Sequence, residues 1–220
     1  MDSMKREKPS FYCVCLSLIF TALCLSQVQE AGATAIANSD LSFFNLQITP
    51  QFGAIDLLFD WELEAFAEAK NSLGELDQDY DFSLSGGTVS ADAMVTWADG
   101  HGDASAPIFF PPDLSVTANA NSNVNCPGCD PKAASSLGRG SLFNEFVITG
   151  GLGTVDVDFS ANLLGDLYVF TDECGLFAIT EVIFGLELDG NPILFHHDLL
   201  AIGPNSSDRL PVSEALFTTI

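Results

Sequence analysis

The sequence predicts an all-β fold, namely an antiparallel β-sandwich of the jelly-roll type with one short α-helix, preceded by a signal-peptide helix. Three observations predict it: runs of alternating apolar and polar residues, turn residues about every 10 positions, and a single window with helical spacing. A β-helix would need a fixed repeat, and the sequence contains none. Residues 36–220, which follow the leader, have a length that suits one domain.

Residues 1–35 have the organisation of a secretory signal peptide. Basic side chains at positions 5, 6 and 8 precede an apolar segment over residues 11–25, and small residues then offer cleavage after Ala33 or Ala35. The apolar segment is shorter than the roughly 20 residues that a membrane-spanning helix needs. We therefore expect a cleaved leader, a mature chain without a stable membrane span, and a secreted, extracellular or cell-surface location.

The chain is strongly acidic, because 30 Asp and Glu residues accompany only 7 Lys and Arg, for a formal net charge of −23. Such a surface repels phosphate groups, which excludes nucleic acids and anionic lipid surfaces as partners. The charge favours solubility and attracts cations. Hydrophobic residues make up 47% of the chain, enough for a packed core, so the sequence is not that of a disordered acidic tail.

The first half of the mature chain is expected to contain two strands and the single helix. Residues 41–49 alternate imperfectly and are followed by a proline, and residues 53–61 are rich in apolar side chains. Within residues 61–73, apolar side chains recur at helical spacing among Ala and Glu, which are strong helix formers. Gly74 then supplies a stop signal for this helix.

The strand signals continue beyond the helix. Residues 89–97 alternate with a period of two, which predicts a strand with one face inward, and Trp97 is expected in the core, as is Trp61. Residues 99–103, rich in Gly and Asp, read as a turn. Residues 114–125 alternate small and polar side chains, as an exposed or edge strand would.

Residues 98–140 as a whole are expected to be the most loop-rich part of the chain. Strands are then expected over residues 141–149 and over residues 155–159, where apolar side chains alternate with Asp. An Asp-Gly-Asn sequence at residues 189–191 separates two apolar runs and is a strong hairpin signal.

Asp77, Asp79 and Asp81 have the carboxylate spacing with which a calcium-binding loop begins. Phe82 stands where such a loop needs glycine, and Thr88 stands where it needs a bidentate Glu. The three residues therefore either bind calcium in another geometry or form a solvated acidic loop.

Asp99, His101 and Asp103 are also suitable ligands for a divalent ion, on what reads as a flexible turn. Gly and Asp are equally what a hairpin turn requires for its own conformation. Asp99 and Asp103 are therefore kept, with His101, as a second candidate metal group beside the hairpin interpretation.

Hydrolytic chemistry is not expected from the histidines. His196 and His197 are neighbours on a predicted strand and should point to opposite faces, so they cannot easily share one ion or one proton. Asp198 follows them, but no Gly-x-Ser-x-Gly motif supplies a nucleophile. Glycoside hydrolysis needs two facing carboxylates, and with 30 acidic residues no single pair stands out.

Cys126 and Cys129 lie three positions apart with a Pro-Gly corner between them. Zinc would require a second pair of cysteines, and the mature chain has only Cys174 besides these two. A redox centre would require a preceding buried strand, and the preceding residues are too polar for one. In an oxidising compartment we expect a Cys126–Cys129 disulfide with Cys174 unpaired, the alternative being a bridge from Cys174 to either one.

The chain combines a leader with a β domain that is rich in Ala, Ser, Asn, Thr and Gly and has few basic residues, and it contains the segments LQITP, AFAEAKNSLGE, GRGSLFNEFVITGGLGTVDVDFSA and LELDG. With these features it resembles the exported ectodomains of bacterial PEP-CTERM proteins. The resemblance implies export and a link to an exopolysaccharide-forming surface, and it implies no activity. Such proteins end in Val-Pro-Glu-Pro, an apolar helix and basic residues, which are absent here, so we expect a fragment or a released protein.

These observations together predict an exported acidic β-sandwich of the bacterial cell surface or extracellular matrix, with a structural or adhesive role and no catalysis. Its expected partners are extracellular polysaccharide or matrix proteins, and no cofactor is expected apart from calcium. The alternative is a secreted carbohydrate-active enzyme or a calcium-dependent carbohydrate-binding module. A groove with an aromatic floor and converging carboxylates would indicate that alternative.

Overall fold

The fold was obtained as a computed structural model, which describes residues 17–28, 33–57, 60–106, 114–126, 132–150, 155–172 and 175–220. Within these ranges the chain forms strands and no helix, which confirms the predicted all-β class. The strands are β1 Ser17–Val28, β2 Ala33–Pro50, β3 Ala54–Leu57, β4 Glu62–Asn71, β5 Leu76–Ser83, β6 Gly87–Val95, β7 Ala98–Ala106, β8 Ser115–Cys126, β9 Lys132–Phe143, β10 Phe146–Thr149, β11 Val157–Thr171, β12 Gly175–Leu188, β13 Asn191–Ile202 and β14 Ser206–Thr219.

Two six-stranded antiparallel sheets pack face to face as a β-sandwich. Sheet A has the order β13-β12-β1-β9-β4-β5, and sheet B has the order β14-β11-β2-β8-β7-β6. A third, two-stranded sheet pairs β10 with β3. Neighbours in each large sheet are often distant in sequence, so the pairing depends on long-range contacts. No helix in the described residues is long and apolar enough to cross a membrane.

Large side chains fill part of the layer between the sheets. Phe43 of sheet B and Phe184 of sheet A are fully buried and stack with ring centroids 4.9 Å apart. Phe159 and several leucines are buried to the same extent. Burial of side chains of this size is the main source of stability in a sandwich, at about 1.5–3 kcal/mol for each one removed from water.

The layer between β7 and β9 is filled by glycine and alanine instead. Gly100 and Gly102 of β7 lie against β9, where Gly138 and Gly140 face back toward sheet B. A Cβ on Gly100 or Gly102 would lie 2.8 Å from a carbonyl oxygen of β4 and still closer to one of β9. The two sheets therefore approach backbone to backbone here, which only glycine permits.

The helix predicted over residues 61–73 is wrong, because Glu62–Asn71 form strand β4. Side chains alternate along β4 between the interior and the outer face of sheet A. The preference of Ala and Glu for helices is small, and burying a row of small side chains between two sheets outweighs it. The buried row consists of Leu63, Ala65, Ala67 and Ala69.

The turn predicted over residues 99–103 is also wrong, since these residues lie inside strand β7. The chain reverses between β6 and β7 at Thr96 and Trp97, and Trp97 adopts a positive φ of 75°. Gly100 and Gly102 serve close sheet packing and not a turn. Trp97 is only partly buried against the core, whereas Trp61 is 3% exposed, as predicted.

Residues 98–140 are not a long loop where the structure describes them, because they hold β7, β8 and the start of β9. The prediction of an edge strand for residues 114–125 is likewise wrong. Strand β8 lies inside sheet B between β2 and β7, and its small side chains are buried. Small residues suit an interior strand here because the opposite sheet is so close. Residues 107–113 and 127–131 lie outside the described residues.

The described part of the predicted signal-peptide helix, Ser17–Val28, forms strand β1 and not a helix. This strand lies in the middle of sheet A, where it pairs with β12 on one side and β9 on the other. A short apolar run suits a central strand as well as a helix, and periodicity does not separate the two. Residues 1–16 and 29–32 lie outside the described residues, and cleavage of the leader stays a prediction.

Other strand predictions are confirmed. Residues 41–49 lie within β2, and Val157 and Phe159 point inward from β11. Residues 189–191 connect β12 to β13 as a hairpin. Asp189 and Gly190 there have φ values of 51° and 73°, the positive values that a type I′ turn requires at both central positions.

Candidate functional site

Polar side chains cluster on part of the outer face of sheet B. Strand β2 turns small and apolar side chains inward, so that Asn38 and Asp40 point outward. Asn119 and Asn121 do the same on β8, and the inward positions beside them are alanine and serine. Alternation on neighbouring strands thus assembles outward polar residues into rows that cross the sheet.

Strand register fixes the members of two such rows. The Cβ atoms of directly paired residues lie about 4.5–5.5 Å apart, so neighbouring side chains within a row can contact each other. The first row contains Arg209, Tyr168, Asn38, Asn121 and Asp99. The second contains Asp166, Asp40, Asn119, His101 and Asp92.

A cavity of ≈ 400 Å³ opens on this face. It spans four adjacent strands, β14, β11, β2 and β8, and we call it the polar groove. Its lining includes one aromatic ring, that of Tyr168, and two carboxylates on directly paired residues, Asp40 and Asp166. The groove is lined by Asn38, Ser39, Asp40, Asn119, Asn121, Asp166, Tyr168 and Arg209.

Hydrogen bonds hold the groove side chains in place. The Nε of Arg209 lies 2.7 Å and 3.0 Å from the two carboxylate oxygens of Asp166, an interaction that raises the pKa of Arg209. The Nδ2 of Asn121 donates to Asn119 at 2.6 Å and to Asp99 at 2.8 Å. The groove therefore presents side chains that are oriented before any ligand arrives.

Asp40 differs from Asp166 in its electrostatic environment. Its partial burial raises its pKa, and the nearby negative charge of Asp166 raises it further. Asp166 has the guanidinium of Arg209 as an ion-pair partner. Two adjacent carboxylates thus have different surroundings in one groove.

His101 continues the second row beyond the groove. Its Nδ1 lies 2.6 Å from Asp92 and its Nε2 lies 2.7 Å from Asp103, which also accepts a hydrogen bond from Thr117 at 3.0 Å. Burial lowers the pKa of His101, but the hydrogen bonds to the two carboxylates outweigh it and raise the pKa overall. Burial raises the pKa of Asp103, and its hydrogen bonds, the one to His101 foremost, lower it overall.

The metal group predicted at Asp99, His101 and Asp103 does not converge on one point. All three side chains leave the same face of β7, but His101 uses both ring nitrogens on carboxylates, and Asp99 accepts a hydrogen bond from Asn121. Among the described residues no group of three His, Cys, Asp or Glu side chains is arranged to hold a metal ion.

Asp77, Asp79 and Asp81 are likewise not on a loop, because they lie on strand β5. Each carboxylate accepts a hydrogen bond from a backbone amide of β6, at 2.9 Å for Asp77, 3.0 Å for Asp79 and 3.2 Å for Asp81. Their regular spacing therefore matches the repeat of a neighbouring strand and not the coordination sphere of calcium.

The histidines of β13 point to opposite faces, as predicted. His196 lies 2.9 Å from Asp198 and 3.1 Å from Glu214 of β14. His197 lies 2.6 Å from Glu181 of β12. Both histidines contact carboxylates, and His196 connects β13, the edge strand of sheet A, to β14, the edge strand of sheet B.

The predicted disulfide falls largely outside the described residues. Cys126 ends β8, where its backbone pairs with Ala33, and Cys129 and Cys174 are not among the residues that the structure describes. The Cys126–Cys129 pairing stays a prediction.

Sequence reasoning missed the groove residues. Asn38 and Asp40 carry a signal that was available, because polar residues alternate with Ala, Ser and Leu over residues 37–42. Arg209 is one of only seven Lys and Arg residues in the chain, and this rarity was a second available signal. Their convergence with Asp166 and Tyr168 was not visible, because it depends on pairing between strands far apart in the sequence.

No known protein family, characterised protein or solved structure matches this chain.

Proposed function

We propose that the protein is an exported, non-catalytic β-sandwich of a bacterial cell surface or extracellular matrix, and that it contacts polysaccharide through the polar groove of sheet B. The observation that carries the proposal is the groove itself, in which oriented amide, carboxylate, guanidinium and phenol groups from four adjacent strands surround ≈ 400 Å³. The resemblance to exported PEP-CTERM ectodomains favours the same setting.

The chemistry of the groove suits sugar hydroxyl groups. Each hydroxyl both donates and accepts, and Asn38 and Asn119 offer an amide with both capacities, while Asp40 accepts. The ring of Tyr168 offers an apolar face beside them, suited to the C–H face of a sugar. Because these groups stand on paired strands, little conformational entropy is lost when a ligand binds.

The net charge of the chain favours the binding of some polysaccharides over others. A net charge of −23 repels acidic sugars, and Arg209 in the groove is already paired with Asp166. The proposed ligand is therefore a glycan without acidic groups.

The experiment is calorimetric titration of the exported protein with neutral, amino-bearing and acidic oligosaccharides. We expect binding of glycans without acidic groups and at least a ten-fold weaker affinity, about 1.4 kcal/mol, in Tyr168→Ala and in Asn38→Ala. Gln78→Ala, on the outer face of sheet A, is the matched control and should bind as the parent does. Preferential binding of acidic glycans, or unchanged affinity in both groove variants, would contradict the proposal.

A second candidate function, hydrolysis of a glycan, is favoured by one specific observation. Asp40 and Asp166 are directly paired across β2 and β11, the pKa of Asp40 is raised, and Asp166 is paired with Arg209. Two neighbouring carboxyl groups in different surroundings, one with a raised pKa and one with a cationic partner, resemble the acid and base pair that glycoside hydrolases use. Release of reducing ends from a bound glycan, lost in Asp40→Asn and in Asp166→Asn, would favour this function over binding alone.

A further inference from the structure

Strand β1 occupies the middle of sheet A, although it lies within the predicted leader. It pairs antiparallel with β12 from Ser17 to Val28 and with β9 from Ala22 to Val28. Cleavage of the leader after Ala33 or Ala35, as predicted, removes this strand from the mature chain. Sheet A then has a gap between β9 and β12, and we call this gap the strand-acceptor site.

The strand-acceptor site is bounded by two strand edges that lose their partner. The edge of β12 loses the pairs between Gly175 and Glu187, and the edge of β9 loses those between Lys132 and Gly138. Backbone N–H and C=O groups along an open edge are strong hydrogen-bonding groups and form a template for another strand. An inserted strand would pair with both edges at once, so it would form two rows of hydrogen bonds.

Contacts between the two sheets oppose closure of the gap. Because β9 and β12 are both antiparallel to β1, they would meet as parallel strands, and one half of sheet A would have to shift by about 4.8 Å, one strand spacing. A shift of the β12 half would separate Phe184 from Phe43 of sheet B, whose ring centroids are 4.9 Å apart. A shift of the β9 half would move β5 away from β6, where the Asp92 amide donates to Asp79 at 3.0 Å. An inserted strand preserves both contacts.

The neighbours of the site favour an uncharged segment. Glu181, on the outer face of β12, is already paired with His197 at 2.6 Å. Residues 17–28, which fill the site in the full chain, include no Asp, Glu, Lys or Arg. A charged residue on the inward face of an inserted strand would be costly to bury, since the residues beside it there are buried and carry no charge. Where both edges flank the site, these inward residues are Ala178, Thr180 and Val182 of β12 and Ala134, Ser136 and Gly138 of β9.

We propose that the strand-acceptor site, once the leader is removed, binds an extended and uncharged segment of another polypeptide chain by β-strand addition. The segment is about 12 residues long, the length of β1, and lies antiparallel to both β9 and β12. Such a strand would couple the protein to a neighbouring chain of the matrix. The inference rests on the predicted cleavage of the leader and does not depend on glycan binding in the polar groove.

The test uses the full chain with a protease recognition sequence inserted between Val28 and Ala33 and cut after folding. The probe is a fluorescent synthetic peptide of residues 17–28, SLIFTALCLSQV. The probe is added in excess just below the melting temperature, so that slow release of β1 does not limit its uptake. By fluorescence anisotropy we expect the cut protein to bind the probe and the uncut protein to bind at least about ten-fold less, because a covalently attached β1 has a high effective concentration.

The matched control is the same peptide with Ala22→Pro. Residue 22 pairs with Val182 of β12 and with Gly138 of β9, and proline removes a backbone donor from the middle of a central strand. We expect its affinity to be at least about ten-fold lower than that of the parent probe. Equal affinity of the two peptides, equal uptake by cut and uncut protein, or no uptake by a cut protein that keeps its β-sheet circular dichroism would overturn the proposal.

Two further observations decide the remaining cases. If the cut protein precipitates as β1 leaves, excess probe should keep it in solution, and precipitation with and without probe would count against the site. Denaturing mass spectrometry of the protein exported by its native route should give the mass of a chain that begins after Ala33 or Ala35. An exported chain that retains residues 17–28 would mean that the site is never vacated, which would also overturn the proposal.

Discussion

His101 is held between two carboxylates, Asp92 and Asp103, on the outer face of sheet B. The carboxylates favour the imidazolium form and raise the pKa of His101 in the folded chain despite its partial burial. A raised folded-state pKa means that the stabilisation is fully present below the unfolded pKa of about 6.5 and is lost as pH rises through the folded-state pKa. The His101 contacts are thus a source of pH-dependent stability.

We therefore predict that His101→Gln lowers the melting temperature at pH 5.5 by about 2–4 °C and has less effect at pH 9, because the stabilisation is lost as pH rises through the folded-state pKa of His101. Thermal melts at the two pH values measure this difference. In an Asp92→Asn/Asp103→Asn background the difference should vanish. An equal loss at both pH values would show that His101 acts through packing alone.

Gly102 lies where strands β7 and β9 approach backbone to backbone. A Cβ there would lie 2.8 Å from the carbonyl oxygen of Phe66 and closer still to that of Arg139, and backbone cannot move aside as a flexible side chain can. We predict that Gly102→Ala lowers the free energy of unfolding by about 1–3 kcal/mol, the usual cost of overpacking.

Urea denaturation measures that loss, and Gly185→Ala is the matched control. Gly185 also lies in a strand, β12, but a Cβ added to it meets no atom within 4 Å. Alanine there should be neutral or mildly stabilising, because it restricts the unfolded chain. Similar losses at both positions would contradict the close packing of the two sheets.

At the scale of the element, β4 shows how a strand can carry a helix-like composition. Its Ala and Glu residues favour a helix locally, but Leu63, Ala65, Ala67 and Ala69 also form a perfect period-two row. The row is buried between two sheets. The free energy gained by burying these side chains exceeds the helix-propensity differences, which are a few tenths of a kcal/mol per residue, and the segment therefore forms a strand.

Strand β1 lies within the predicted leader and is part of sheet A. It pairs with β9 and β12, while the predicted cleavage positions lie at Ala33 and Ala35, in the first residues of β2. We predict that a chain of residues 36–220 exchanges backbone amide hydrogens in β9 and β12 faster than the full chain does, because the edges of these strands lose their partner.

Hydrogen exchange followed by mass spectrometry compares the two chains, and β6 and β7 serve as internal controls because neither strand pairs with residues that the shorter chain lacks. Equal protection of β9 and β12 in both chains would mean that the two strands pair with each other once β1 is removed.

The whole molecule carries a net charge of −23, yet its candidate calcium ligands already accept hydrogen bonds from other groups of the protein. Asp77, Asp79 and Asp81 accept hydrogen bonds from β6, and Asp99 and Asp103 accept them from neighbouring side chains. We predict that millimolar calcium raises the melting temperature by less than about 10 °C, since stabilisation grows only with the logarithm of ligand concentration over the dissociation constant.

Thermal melts with calcium and with chelator measure this shift, and magnesium at equal concentration controls for general screening of charge. A larger shift that is specific to calcium would reveal a site that the carboxylates form by leaving their present partners.

The sequence by itself determined what depends on near neighbours: the all-β class, the inward Val157 and Phe159, the hairpin at Asp189 and Gly190, and the opposite faces of His196 and His197. Each follows from a period of two or from a turn conformation, which a few adjacent residues encode. The tertiary structure alone decided that Glu62–Asn71 form a strand and that β7 and β8 lie inside sheet B. It alone also placed Asp40 beside Asp166 and Arg209 in one groove, and the carboxylates of three aspartates of β5 on backbone amides of β6. The physical reason is that strand pairing joins residues far apart in the chain. The members of a row across a sheet therefore have no regular spacing in the sequence from which the row could be predicted.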